Sequence, residues 1–116
     1  MVMVHKYGIK VGDVFHSSHG YNMTINDFYK VVEVLGFSKI RVRALKRQTT
    51  TDDGYNQCGH EKMVYDKFDE REHALTKIVQ KSNYNYKPYI KISDYEHAYL
   101  MKPEEYDKEY YFNYLD

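Results

Sequence analysis

The chain has 116 residues, in which 17 Lys/Arg balance 17 Asp/Glu, with one cysteine and no tryptophan. That length bounds it to one domain, able to bury a modest core without a disulfide or a metal. The single cysteine excludes an internal disulfide, the neutral balance excludes a globally basic nucleic-acid footprint, and no run reaches the roughly 18 apolar residues of a membrane helix.

The opening MVMVHKYGIKVGDV lacks the apolar core of a signal peptide, so the reading is a soluble intracellular chain. Gly12-Asp13 is a turn signal, and GDVFHSS (12–18) after it favours a strand. HGYN reads as a turn. DFYKVVEVL (27–35) is rich in β-branched and aromatic residues and is expected as a strand. GFS reverses the chain into KIRVRALKR (39–47). There Ile40, Val42 and Ala44 alternate with Lys39, Arg41 and Arg43, the period of a half-buried strand. Residues 27–47 therefore make a β-hairpin.

QTTTDDGYNQCGH (48–60) reads as a polar loop, with a turn at Asp53-Gly54. KMVYDKF suggests a short strand. DEREHALTKIVQK (69–81) supports two readings. Asp69 with Glu72 fits a helix capping box, whereas Thr76, Ile78 and Val79 are β-branched and suit a strand. PYIKIS (88–93) alternates as a strand. In KPEEYDKEYYFNYLD, Pro103 followed by Glu104 and Glu105 has the form of a first helical turn, which would line Tyr106, Tyr110 and Tyr114 along one side. The expected fold is mainly β (α+β): a small twisted antiparallel sheet or SH3-like partial barrel, with one or two short helices, one of them near the C-terminus.

Three kinds of surface stand out. The first is a basic stripe, Lys39, Arg41 and Arg43 extended by Lys46 and Arg47. Such a row on a strand has a spacing of about 6.5–7 Å, close to that of phosphates. Its bland counterpart is the solvated face of a half-buried sheet. The charge is also uneven along the chain: residues 1–50 hold eight Lys/Arg against three Asp/Glu, and residues 51–116 hold nine against fourteen. The second surface is tyrosine. There are fourteen, nine of them from Tyr84 to Tyr114. Tyr106, Tyr110, Tyr111 and Tyr114 lie among acids and could meet a partner, since tyrosine joins an apolar ring to a polar tip. The third is the loop Tyr21, Asn22 and Thr24, which either buttresses a turn or recognises a partner.

Other chemistry is weak. His16 and His19 form H-x-x-H, and Cys58 and His60 form C-x-H. On a strand, residues three apart point to opposite faces, and neither pair has a zinc-finger spacing. The expectation is no metal and no cofactor. Adjacent acids such as Glu104-Glu105 read as solvated, and Cys58 has no local catalytic signature, so no enzyme is expected.

The segment IKVGDVFHSSHGYNMTINDFYKVVEV resembles a family of small proteins of bacteriophages and plasmids. Its opening runs K-V-G-D, then S-S-x-G-Y-x-x-T, then D-F-Y-x-V. Here the pattern is carried by Lys10, Val11, Gly12, Asp13, Ser17, Ser18, Gly20, Tyr21, Thr24, Asp27, Phe28, Tyr29 and Val31. The segment YIKISDYEHAYL is similar to the family's closing stretch through Ile90, Lys91, Ile92, Ser93, Tyr95 and Ala98. Where the family has Trp, Asp and Gln, this chain has His19, Asn22 and Met23; residues 48–75 do not match. The family carries no assigned activity, so no residue role transfers. The resemblance implies a mobile-element accessory protein in a bacterial host cytoplasm, one that binds a host or phage protein, plausibly to inhibit a defence system. The alternatives are a small nucleic-acid-binding barrel using the basic stripe, and a small-molecule or nucleotide binder. No membrane partner is expected, and nothing in the pattern specifies an oligomeric state.

Overall fold

A computed structural model describes residues 5–20, 23–52, 54 and 58–114. Nine strands follow in chain order: β1 Val14–His19, β2 Ile25–Val34, β3 Lys39–Asp52, β4 Cys58–Phe68, β5 Leu75–Ile78, β6 Gln80–Lys81, β7 Pro88–Ser93, β8 Glu96–Leu100 and β9 Tyr110–Asn113. They form one antiparallel sheet in the order β6-β7-β8-β1-β2-β3-β4-β9, with β5 paired to β3 off that path.

The sheet curls because β3 is long and serves several neighbours. Its first half pairs with β2 through Ile40–Ala44 and with β5 through Lys39–Val42; its second half pairs with β4. β5 then runs through the buried Val79 into β6, which pairs with β7. One short stretch of chain thus links β3 to the far end of the sheet, and the result is a half-barrel.

Alternation fills two cores, one on each side of the sheet. Phe15, Tyr29, Val31, Ile40, Val42, Ile90 and Ala98 point into the half-barrel with Ile9 and Val79. Val14, Phe28, Leu45, Met63 and Met101 point the other way, with Phe68, Tyr106 and Tyr110 packed against them. Consecutive residues such as Val14-Phe15 and Phe28-Tyr29 are therefore both buried, on opposite faces. Each such side chain contributes about 1.5–3 kcal/mol by leaving water.

The hairpin expected over 27–47 is present, as is the strand at 88–93. Among the described residues there is no α-helix, against the one or two expected. The C-terminal helix is replaced by a one-turn 3-10 segment, Pro103–Glu105, and strand β9. The initiation signals are real: Pro103 opens the turn, and Glu105 accepts from the Lys102 backbone N–H at 2.9 Å. The β-forming run Tyr-Tyr-Phe-Asn then pairs with β4, burying Phe112 in place of continuing the helix. Tyr106, Tyr110 and Tyr114 accordingly do not share a helical side. Residues 69–81 resolve in favour of strand: Asp69 caps a tight turn to Arg71 and Glu72, and the β-branched residues form β5. The polar loop at 48–60 shrinks, because Gln48–Asp52 and Cys58–His60 continue their strands as a cross-strand ladder.

Candidate functional site

The half-barrel has two ends. At one end, β1 finishes at His19, β2 begins, and β7 turns into β8. Here inward-facing polar residues replace the apolar core. Ser17 and Tyr29 both donate hydroxyl hydrogen bonds to Oε2 of Glu96, at 2.5 Å and 2.8 Å. Nε2 of His19 lies 2.6 Å from Oδ2 of Asp27 and 3.6 Å from Oε2 of Glu96. Burial first, then the nearby Asp27 and Glu96, raises the pKa of the Tyr29 hydroxyl well above its ordinary value, so it stays a donor.

Arg47 extends this network through the sheet. Its guanidinium donates to the backbone carbonyl of Asn26 and lies 3.6 Å from Asp27 Oδ1 and 3.8 Å from Glu61 Oε1. Glu61 is 3% exposed and is also reached by Asn26 Nδ2 and the Tyr114 hydroxyl, each at 3.3 Å. On the far side, His16 Nε2 sits 2.9 Å from Asn26 Oδ1. Burial lowers the His16 pKa in spite of that bond. A cleft of about 350 Å³ opens onto the network, lined by Asp27, Tyr29, Arg47, Arg71, Glu72 and Glu96, among others.

A second region lies on the outer face of β7, β8 and β1. The register places Tyr89 beside Tyr99, Tyr99 beside His16, and His16 beside Phe28. Tyr89 also stacks on His97 at 5.2 Å, and Tyr110 covers His16 at 4.1 Å between centroids. This aromatic row borders a groove of about 290 Å³, shared by His16, Tyr99, Tyr110, Lys87, Asn85 and Glu105.

The loop from β6 to β7 flanks that groove and is tightly hydrogen-bonded. Ser82 Oγ accepts from the Tyr84 and Asn85 N–H groups, Ser82 O accepts from Tyr86 N–H, and Asn85 Oδ1 accepts from Lys87 N–H. Tyr86 has φ 58°, the one non-glycine residue with positive φ among the described residues. This conformation costs about 1 kcal/mol or more for a residue with a Cβ. Yet Tyr84 is 95% exposed and Tyr86 71%. The ordered backbone therefore presents two rings to solvent, with the Lys81 ammonium 6.0 Å over that of Tyr86.

The residues singled out from sequence scatter. Lys39 and Lys46 are exposed. Arg41 pairs with Glu33 at 2.7 Å, Arg43 lies over the Phe68 ring, and Arg47 is drawn into the acidic network. The stripe is a set of internal partners more than a free cationic row. Tyr106 stacks on Tyr65, Tyr110 on His16, and Tyr114 on Phe112, while Tyr111 lies exposed near His60. Thr24 bridges to Asn113 through backbone bonds, a buttressing position. Tyr21 and Asn22 lie outside the described residues. His16 and His19 face opposite sides of the sheet; Cys58 meets Asn113 and His60 meets Thr51, so these four do not converge. The His19–Asp27–Glu96 group was not anticipated. Its members come from three strands, and the alternation of β1 and β2 could have paired the first two only once their register was known.

No known protein family, curated protein or solved structure matches this chain.

Proposed function

We propose that this protein is a non-enzymatic binding protein of a bacteriophage or related element. In this reading it acts in the host cytoplasm by holding a host or phage protein, with a component of bacterial defence as the target class. The observation that carries the reading is the Tyr84–Tyr86 loop. Backbone strain held by a hydrogen-bonded turn, in the service of exposed rings, is the arrangement of a recognition loop. Tyr95, 92% exposed in the β7–β8 turn, stands at the opposite end of β7. Tyrosine supplies large contact area at small entropic cost, and the lysines that flank the loop, Lys81 and Lys87, with no acid between Glu72 and Asp94, suit a protein surface that offers acidic groups. The SH3-like description of the half-barrel belongs to the same proposal, supported by the curl through Val79.

The test is affinity capture from host lysate with the full chain and with a Tyr84→Ala/Tyr86→Ala variant. A defined protein held by the first and lost by the second, at an unchanged thermal midpoint, is expected. Identical recovery by both variants would sink the reading. A second reading rests on the aromatic groove, whose size and stacked walls fit one nucleobase. Fluorescence anisotropy with short single-stranded oligonucleotides and with mononucleotides tests it; binding abolished by Tyr99→Ala is the supporting result.

A further inference from the structure

The polar end of the half-barrel has a charge imbalance. Three carboxylates, Asp27, Glu61 and Glu96, lie around Arg47, which approaches Asp27 and Glu61 but makes no ion pair with Glu96, while Arg71, the other guanidinium lining the cleft, pairs with Asp69. Glu96 is 8% exposed and receives two hydroxyl donors; the nearest group able to carry positive charge is His19. A buried carboxylate held only by neutral donors is costly, and the cost falls sharply when a cation joins it.

From this we infer that His19, Asp27 and Glu96 form a binding site for a first-row divalent transition ion, Zn²⁺ or Mn²⁺. The ligand atoms of the three lie within 4.8 Å of one another. Ligands about 2.0–2.2 Å from a common ion are about 3–3.5 Å apart. The 3.6 Å from His19 to Glu96 already matches, and the 2.6 Å from His19 to Asp27 needs to open by less than an ångström. One imidazole nitrogen with two carboxylates suits zinc or manganese; calcium takes six to eight oxygens, and magnesium favours oxygen ligands. The hydroxyls of Ser17 and Tyr29 both donate to Oε2 of Glu96, the oxygen that faces His19, and so hold that carboxylate in place, the outer support that metal-ligating groups require. Asp27 and Glu96 both line the 350 Å³ cleft, which supplies an entry path and room for water in a remaining coordination position.

The site is independent of the proposed protein-binding loop, and its test does not involve a partner. The full chain, stripped with EDTA, is titrated with Zn²⁺, Mn²⁺ and Mg²⁺ by calorimetry, and its thermal midpoint is followed. One equivalent of Zn²⁺ or Mn²⁺ should bind and raise the midpoint, with Mg²⁺ far weaker. His19→Gln and Asp27→Asn, which keep the shape of the side chains they replace, should each weaken binding more than tenfold. Tyr29→Phe should weaken it by about tenfold through the outer support. Cys58→Ser should change nothing. Absence of stoichiometric binding to the unmutated protein overturns the proposal whether or not a variant folds. So does binding that survives both His19→Gln and Asp27→Asn, or that disappears with Cys58→Ser.

Discussion

The hydroxyl of Tyr29, on β2, donates to Oε2 of Glu96, on β8, across 2.8 Å. The two residues are 67 positions apart and meet only because β1 lies between their strands. Removing this donor by Tyr29→Phe leaves Glu96 with Ser17 and His19 alone. The expected cost is about 2 kcal/mol, the range for withdrawing a hydrogen bond from a buried charged group, read as a lower urea midpoint at unchanged slope. The pH dependence has a definite sign. Folding raises the Tyr29 pKa above its ordinary 10.0, so its contribution is complete below about pH 10 and fades as pH rises past that value. Tyr29→Phe should therefore flatten the alkaline limb of the stability profile.

Arg47 is expected to stabilise by neutralising Glu61. Arg47→Met leaves a buried carboxylate with Asn26 and Tyr114 as its hydrogen-bond donors; because the Arg47 side chain is 31% exposed and 3.8 Å away, the cost should be about 1 kcal/mol. Adding Glu61→Gln should restore part of that loss. A double-mutant cycle by chemical denaturation measures the coupling; additive effects would show that Arg47 acts on Asp27 or the Asn26 carbonyl instead.

His16 should make the fold sensitive to acid. Burial lowers its pKa from the ordinary 6.5, so above that value the folded and unfolded chains both hold it neutral. As pH falls below 6.5 the unfolded chain takes up the proton first, and stability drops until the folded value is passed. His5 shifts in the same direction through burial. Urea midpoints from pH 7.5 to 5 should fall, and His16→Gln should shallow that fall.

Gly59 marks a close approach in the β3–β4 ladder. A Cβ there would stand 2.0 Å from the Thr51 carbonyl oxygen and 2.7 Å from the Asp52 Cα, both backbone atoms of the facing strand. Gly59→Ala should cost about 1–3 kcal/mol by forcing the pair apart at its bulge. Hydrogen exchange should accelerate in β4 and β9 while β7 and β8 keep their protection.

Much of the architecture was legible in the chain. The alternation of Ile40, Val42 and Ala44 with Lys39, Arg41 and Arg43 marked a strand and assigned its inner face, and Ile90 marked β7 likewise. The C-terminal stretch misled for a local reason. Pro103, Glu104 and Glu105 carry the chemistry of a helix start, and that start forms, but helix continuation competes with pairing of Tyr110–Asn113 to β4. The basic stripe shows what a single strand leaves open. Spacing along one strand says nothing of what lies across from it. Glu33, Phe68 and Glu61 occupy those places.

By itself, the sequence determined the β-rich character, the central hairpin and the impossibility of a disulfide within these 116 residues, because these depend on periodicity, turn residues and composition. The tertiary structure decided that His19, Asp27 and Glu96 meet, that Arg47 lies within salt-bridge range of Glu61, and that Tyr84 and Tyr86 are exposed. Those relationships depend on register between strands distant in the chain, and on the left-handed backbone at Tyr86. A one-residue change of register reverses every side chain's face, so no pattern within a single strand could have set them.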